Sequence, residues 1–318
     1  MPMRHFRGWR WEHVWAGQAL SANLLLPIGA LFLLPAGVSA QLGLLPAGTW
    51  LNLVALGVAW GLGGIGYGLS LALLGLSFTY SLVFSITVLV GALAPLAAAP
   101  HLPAWGVLLA SGLALCIIGA VALARAGQQR QIERCQPYSK VMSLATPIPP
   151  LRYSMALTLA LIAGVLSAGQ GLALAWNQAP VHAALRAGLA PLAASMLVWI
   201  PLYIGAAAAA LAYAGAWMWR RRNWTALWRQ SPARNWALIG LMGLFGFGGV
   251  LLYGWGATAG RLPLAQAWGV YMAAFILAGN AFGLGGREWQ GCSPATYRWL
   301  GTGVAALLIA ILMLAVPA

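Results

Sequence analysis

The ionisable side chains that could do chemistry in this chain are few and far apart. Of 318 residues only three are acidic, Glu12, Glu133 and Glu288, and there is no aspartate. Hydrolases, Mg²⁺-dependent phosphotransferases and carboxylate metal sites need clustered acids. The four histidines are scattered, and the three cysteines have no CxxC spacing. We therefore predict that the protein is not an enzyme and has no metal site or cofactor.

A second group of residues could bind an uncharged ligand. Amides and hydroxyls form hydrogen bonds with such ligands, and aromatic faces stack on C–H surfaces. The candidates for substrate binding are Asn23, Trp60, Tyr67, Ser167, Gln170, Tyr253, Trp255, Gln266 and Asn280. Each has a structural alternative, because an amide in a membrane helix often joins two helices and Trp or Tyr near a helix end often anchors it at the interface.

Composition indicates which elements must position these residues. Hydrophobic residues make up 62% of the chain and charged residues 6%, whereas a soluble domain is about 25% charged. Nine apolar stretches are long enough to cross a bilayer, and strand-like alternation is absent. We expect an all-α, polytopic membrane protein forming one integral membrane domain, residues 1–318. The predicted spans are about 14–36, 50–74, 77–98, 103–124, 153–176, 191–218, 236–259, 263–285 and 299–317.

The basic residues determine the predicted topology. Lys and Arg number 17, which gives a formal net charge of +14. If the loops alternate across the membrane, all of these residues except Arg186 and Arg261 lie on the side of the N-terminus. The positive-inside rule then predicts that the N-terminus is cytoplasmic and that the C-terminus lies on the opposite side of the membrane. Topology thus accounts for the charge, and no nucleic-acid partner is predicted.

Two segments are similar enough to predict an internal repeat. The pattern GxGG, then Tyr-Gly, then Gly occurs at residues 61–75 and again at residues 246–260. The segments lie in the second and seventh spans, and this odd offset makes an inverted repeat of the kind found in secondary transporters. We predict a first repeat over residues 1–125, a cytoplasmic loop over 126–152 and a second repeat over 153–318. The glycines are expected to pack helices together.

The repeat leaves the predicted span 153–176 without a partner in the first half. A five-plus-five molecule would have one more helix before residue 1, and Met1-Pro2-Met3 directly precedes a basic stretch. We therefore expect that this chain lacks the first helix of a ten-helix fold.

Short motifs recur in a fixed order along nearly the whole chain. They are Trp9-x-Trp11-Glu12, Trp60-Gly61-x-Gly63, Tyr67-Gly68-Leu69, Leu74-Gly75-x-Ser77, Thr87 with Gly91, Arg125-Ala126-Gly127, Ser167-Ala168-Gly169 and Glu288-Trp289-x-Gly291. In this order the chain resembles the L-rhamnose–proton symporter family of the drug/metabolite transporter superfamily, less that family's first helix. The resemblance implies a ten-helix inner-membrane carrier that imports a deoxyhexose with a proton.

Two positions depart from the family pattern. Residues 64–66 are Gly-Ile-Gly where the family has asparagines, and Ala183 follows His182 where the family tends to carry Glu. Polar and acidic groups are therefore absent at positions where the resemblance implies sugar contact or proton coupling.

The expected function is secondary-active transport of L-rhamnose or a similar neutral sugar, with a proton, by alternating access. Proton coupling needs an ionisable group, and the candidates are Glu12, His182 and Glu288, all near a membrane edge. Glu133 is expected in a polar loop as a solvated ion pair. The alternative is an exporter or facilitator of another small metabolite without proton coupling, because fold does not fix function.

Overall fold

Helices are the only regular secondary structure among the residues that the computed structural model describes: 6–74, 76–97, 106–134, 153–260, 262–285 and 289–316. The predicted all-α class is thereby confirmed. The first span combines an α-helix, a π-helical turn and a second α-helix: Trp11–Gln18, Ala19–Leu25 and Leu26–Leu33. The other helices are Gly37–Gly43, Ala47–Leu74, Leu76–Ala97, Gly106–Arg134, Tyr153–Ser167, Gly169–Trp176, Gln178–Arg186, Pro191–Arg221, Ala226–Arg229, Pro232–Thr258, Leu264–Gly285 and Pro294–Leu314.

Eight helical segments among the described residues are long and apolar enough to cross a membrane. The third predicted span, 77–98, is not among the eight; it coincides with the helix Leu76–Ala97, whose described apolar part, Leu82–Ala94, is shorter. The prediction of a polytopic helical membrane protein is confirmed.

The region from 153 to 190 differs from the prediction in two respects. The expected continuous span 153–176 is interrupted at Ala168, between the helices Tyr153–Ser167 and Gly169–Trp176. The expected loop 177–190 contains the helix Gln178–Arg186, which forms because Val181 and Ala184, three residues apart on one face, are both fully buried.

The chain divides into two compact units. The Trp9 unit comprises Pro2–Gly64 and Leu172–Gly260, and the Trp268 unit comprises Ile65–Gly171 and Arg261–Ala318 together with Met1. The first contains most of the predicted spans one, two, six and seven, and the second most of spans three, four, eight and nine. Each unit therefore holds both members of two predicted repeat pairs, although the repeat itself stays a prediction.

Glycines set the closest helix crossing of the Trp9 unit. A Cβ at Gly57 would overlap the carbonyl oxygen of Leu202, and a Cβ at Gly205 would overlap the carbonyl oxygen of Val54. The helices Ala47–Leu74 and Pro191–Arg221 thus touch backbone to backbone, as small residues permit in membrane proteins. Gly61 also faces this partner, 2.9 Å from the Ala206 carbonyl oxygen when a Cβ is added.

The Trp268 unit has an equivalent crossing between the helices Gly106–Arg134 and Pro294–Leu314. A Cβ at Gly119 would lie 3.0 Å from the Gly303 carbonyl oxygen, and a Cβ at Gly303 would lie 2.9 Å from the Gly119 carbonyl oxygen. Further along, the Arg125 guanidinium stacks on Trp299, 4.9 Å from the ring centre. Residue 119 contacts residue 303, and the later residue 125 contacts the earlier residue 299. The two helices are therefore antiparallel, as the predicted topology requires.

Candidate substrate site

Trp268 organises one face of the Trp268 unit. Its indole is almost fully buried and lies against two glycines, because a Cβ at Gly91 would overlap its Nε1 and a Cβ at Gly171 would lie 2.8 Å from its ring. The indole N–H donates to the Thr87 carbonyl oxygen at 3.2 Å. The Thr87 hydroxyl in turn donates to the Gly164 carbonyl oxygen at 3.0 Å. These contacts hold four helices around one side chain: Leu76–Ala97, Tyr153–Ser167, Gly169–Trp176 and Leu264–Gly285.

Two predicted amides belong to helices that meet at this junction. Gln170 precedes Gly171, and Gln266 stands two residues before Trp268. Gln266 is fully buried, and neither its amide nitrogen nor its carbonyl oxygen has a hydrogen-bond partner among the described residues. The buried amide nitrogen of Gln170 is likewise unpartnered there. Native proteins rarely leave such groups unsatisfied, so these amides are candidates for binding a ligand.

Aromatic rings extend from Trp268 across the same unit. Ring centres are 5.7 Å apart for Trp268 and Tyr271, 6.4 Å for Tyr271 and Phe275, and 5.3 Å for Phe275 and Phe84. The predicted residue Tyr67 joins them, 5.8 Å from Phe84. The sequence analysis missed the other members, although the spacing of 268, 271 and 275 places them on one helix face.

Two further candidates of this unit have different surroundings. The Asn280 amide donates to the Ile276 carbonyl oxygen of its own helix at 2.9 Å, so one of its hydrogen bonds is already made internally. Ser167 is the last residue of the helix Tyr153–Ser167, directly before the break at Ala168. Both stay predictions as substrate ligands.

The remaining substrate candidates belong to the Trp9 unit. Trp60 packs edge-on against Tyr203 at 5.1 Å, and Tyr253 packs against Trp199 at 5.8 Å. Asn23 lies in the π-helical turn Ala19–Leu25, a form of helix that is rare and often found at functional sites. Trp255 is 53% exposed, a position that also suits its alternative as a membrane anchor.

Sequence analysis did not single out Gln18, which directly precedes the π-helical turn. Its carbonyl oxygen is buried and has no partner in the described part of the chain. Its amide nitrogen would lie 3.7 Å from a Cβ at Gly246, the first glycine of the second GxGG segment. The signal available in the sequence was an amide near the start of the first predicted apolar span.

Glu12 is the proton-coupling candidate with the most specific surroundings. Its carboxylate is fully buried, and Oε1 accepts hydrogen bonds from Arg221 Nη1 at 3.2 Å and from Asn223 Nδ2 at 2.8 Å. Its other oxygen, Oε2, has no partner among the described residues. The partner of Glu12 in this ion pair, Arg221, lies 209 residues away along the chain.

His13 has a separate structural role beside Glu12. Its Nδ1 accepts the Arg10 backbone N–H at 3.0 Å, and its Nε2 lies 3.1 Å from the Asn223 carbonyl oxygen. The Nε2–H tautomer satisfies both contacts and closes a capping arrangement at the start of the first span. Of the other candidates, His182 is exposed on the helix Gln178–Arg186, and Glu288 lies outside the described residues.

Glu133 differs from its expected place in a loop. It lies in the last turn of the helix Gly106–Arg134 and accepts hydrogen bonds from the Ser293 N–H at 2.7 Å, the Ser293 hydroxyl, and the Thr296 hydroxyl at 2.7 Å. These bonds, that from the Ser293 hydroxyl first, lower the pKa of the Glu133 carboxyl below its ordinary value. The carboxylate therefore caps the helix Pro294–Leu314, and the expected solvated ion pair stays a prediction.

The profile of the L-rhamnose-proton symport protein (RhaT) family matches residues 1–317, nearly the whole chain. No curated protein and no solved structure gives a significant match.

Proposed function

Because the chain belongs to the L-rhamnose–proton symport protein family and is a membrane transporter, we propose that it carries L-rhamnose or a similar neutral sugar, with a proton, across a bacterial inner membrane. The observation that carries this proposal is that the buried amides of Gln170 and Gln266 lack partners among the described residues and belong to the two helices that meet at Trp268. We propose that four residues contact the sugar: Gln170, Gln266, Trp268 and Tyr271.

The chemistry of this group suits a deoxyhexose. An amide both donates to and accepts from a sugar hydroxyl, so Gln266 could form two hydrogen bonds where it now has none among the described residues. The aromatic faces of Trp268 and Tyr271 suit the C–H surface and the methyl group of the sugar. A site built to bond hydroxyl groups discriminates strongly against ligands that lack them.

The same geometry indicates that binding requires movement. Gln266 has no exposed surface and Trp268 is 1% exposed, so a sugar can reach them only after the helices around Gly171 and Trp268 separate. Each unit also holds both members of two predicted repeat pairs. Both features support alternating access in a five-plus-five inverted repeat.

We propose that Glu12 carries the coupled proton. An ionisable group inside a membrane protein is expensive and is usually functional, and Glu12 is the only buried carboxylate in the described ranges. Protonation at Oε2 would neutralise the carboxylate and weaken its ion pair with Arg221. That pair joins the first span to the helix Pro191–Arg221, so a proton could alter helix packing.

Uptake into proteoliposomes tests the proposal. The full chain is reconstituted, and entry of labelled L-rhamnose is measured with and without an inward proton gradient. We expect saturable uptake that the gradient accelerates and that unlabelled L-rhamnose inhibits. Saturable uptake that is indifferent to the gradient would contradict symport and favour the facilitator. Absence of saturable uptake would contradict the substrate assignment.

A further inference from the structure

The segment between the helices Pro191–Arg221 and Pro232–Thr258 is firmly folded. Arg222 adopts a left-handed conformation, with φ of 50°, that ends the first helix, and a short helix Ala226–Arg229 follows. The Trp9 indole N–H donates to the Ala226 carbonyl oxygen at 3.0 Å, and the Trp236 indole N–H donates to the Leu227 carbonyl oxygen at 3.2 Å. The shape of this segment is therefore fixed by buried hydrogen bonds within the Trp9 unit.

Its outer surface combines large aromatic and cationic side chains. Trp219 is 75% exposed, and Trp228 is 69% exposed. We call this surface the Arg/Trp platform; its members are Trp219, Arg220, Arg222, Trp224, Trp228 and Arg229, all exposed. Exposed tryptophans on a rigid surface are costly in water but favourable in the headgroup layer of a membrane, where a ring is half buried and its N–H is wet.

Charge indicates the partner. The only acidic residue in the Trp9 unit is Glu12, which is buried and already paired with Arg221. The arginines of the platform therefore have no carboxylate in their unit with which to pair. Guanidinium groups bind phosphate oxygens in bidentate geometry, and basic clusters next to a membrane helix attract anionic lipids.

We propose that the Arg/Trp platform binds the phosphate headgroups of anionic phospholipids in the adjacent leaflet. The tryptophans lie in the interfacial layer, and Arg220, Arg222 and Arg229 contact lipid phosphates. The positive-inside rule accounts for arginines in this loop, but it gives no reason for a rigid surface that also exposes three tryptophans. This inference is independent of the transported substrate.

Native mass spectrometry of the full chain in detergent, titrated with phosphatidylglycerol or phosphatidylcholine, tests the platform. We expect preferential binding of phosphatidylglycerol. An arginine near an anionic surface contributes about a fivefold gain in affinity, so replacing Arg220, Arg222 and Arg229 by Gln should weaken binding about a hundredfold. Arg221 is left unchanged because it pairs with Glu12.

Three comparisons make the result decisive. The triple replacement by Lys should retain most of the affinity for phosphatidylglycerol, because it keeps the positive charges. If the Gln variant unfolds, the Lys variant is measured in its place. The replacement Arg186→Gln, at an exposed arginine of another helix, should change nothing. Equal binding of the two lipids, an unchanged affinity of the Gln variant, or equally tight binding of the free glycerophosphoglycerol headgroup or of heparin would overturn the proposal.

Discussion

Gln266 is the residue whose surroundings most need an explanation. Burying an amide without partners destabilises a protein by about 1–3 kcal/mol for each unsatisfied group, and Gln266 leaves both its nitrogen and its oxygen unpaired within the described structure. If the residue at this position had only a structural role, an apolar side chain of similar size would give a more stable protein. A substrate ligand, in contrast, must keep its hydrogen-bonding capacity for the bound state.

The variant Gln266→Leu separates these two roles. We expect the resting protein to be more stable, by about 1–3 kcal/mol, while the apparent KM for sugar uptake rises about tenfold, the effect of losing one good hydrogen bond. Thermal unfolding in detergent and uptake into proteoliposomes measure the two quantities.

A matched control is Gln178→Leu, since the Gln178 amide donates to the Leu174 carbonyl oxygen. Loss of this hydrogen bond should slightly lower the stability of the protein and leave transport unchanged. Greater stability of Gln266→Leu with unaltered transport kinetics would reassign Gln266 to packing.

The hydrogen bonds of the Glu133 carboxylate predict that the stability of the protein depends on pH. Hydrogen bonds from Ser293 and Thr296 lower the pKa of the Glu133 carboxyl in the folded state. The ionised carboxylate therefore stabilises the fold at pH values above its pKa in the unfolded chain. This stabilisation is lost as the pH falls through its pKa in the folded protein. The melting temperature of the wild type should therefore exceed that of Glu133→Gln at pH 6, and the difference should vanish as pH falls well below about 4.3. A difference that persists at the lowest pH would show that the charge is not responsible.

For single residues, the sequence indicated which side chains could bind a ligand, but not which residues they contact in the folded protein. Gln170 and Gln266 stood out as amides in apolar stretches, and they belong to the two helices that meet where Gly171 contacts Trp268. Trp268 itself looked like one of 17 tryptophans, because its glycine neighbours come from distant helices. The pair Glu12–Arg221 was equally hidden, since nothing local in a sequence indicates a contact across 209 residues.

At the scale of the element, glycine spacing determines how closely helices approach. Ala47–Leu74 offers a matched pair, because Gly57 touches the backbone of Pro191–Arg221 whereas a Cβ at Gly48 would meet nothing within 4 Å. Gly57→Ala should force the helices apart and destabilise the protein by about 1–3 kcal/mol. Gly48→Ala should be neutral or stabilising by up to about 1 kcal/mol.

Equilibrium unfolding in a graded detergent mixture compares these two variants with the wild type. Equal stability of Gly57→Ala and Gly48→Ala would contradict the backbone-to-backbone crossing.

Helix positions followed from hydropathy with few errors, because a membrane helix must be apolar over about 20 residues whatever it packs against. The errors occur where a helix is too short for that signal. The helix Gln178–Arg186 depends on two buried residues, Val181 and Ala184, and the break at Ala168 follows no proline. Both features are set by tertiary packing rather than by local composition.

At the scale of the whole molecule, the placement of loops predicts sidedness. Asn235 bonds the backbone of Arg7, as donor to its carbonyl oxygen at 2.9 Å and as acceptor from its N–H at 3.1 Å, so two segments expected in the cytoplasm lie at one end of the Trp9 unit. In a cysteine-free background, Gln230→Cys should react with an impermeant thiol reagent only from the cytoplasm, and Ala187→Cys only from the periplasm. The reverse labelling pattern would contradict the predicted topology.

Sugar-dependent proton movement is the most direct test of proton-coupled sugar transport. Proteoliposomes holding the full chain are suspended without a gradient in a weakly buffered medium, and the external pH is recorded while L-rhamnose is added. We predict alkalinisation of the medium by the wild type, and downhill sugar entry without alkalinisation by Glu12→Gln. Saturable L-rhamnose entry through the wild type with no change in external pH would contradict the account.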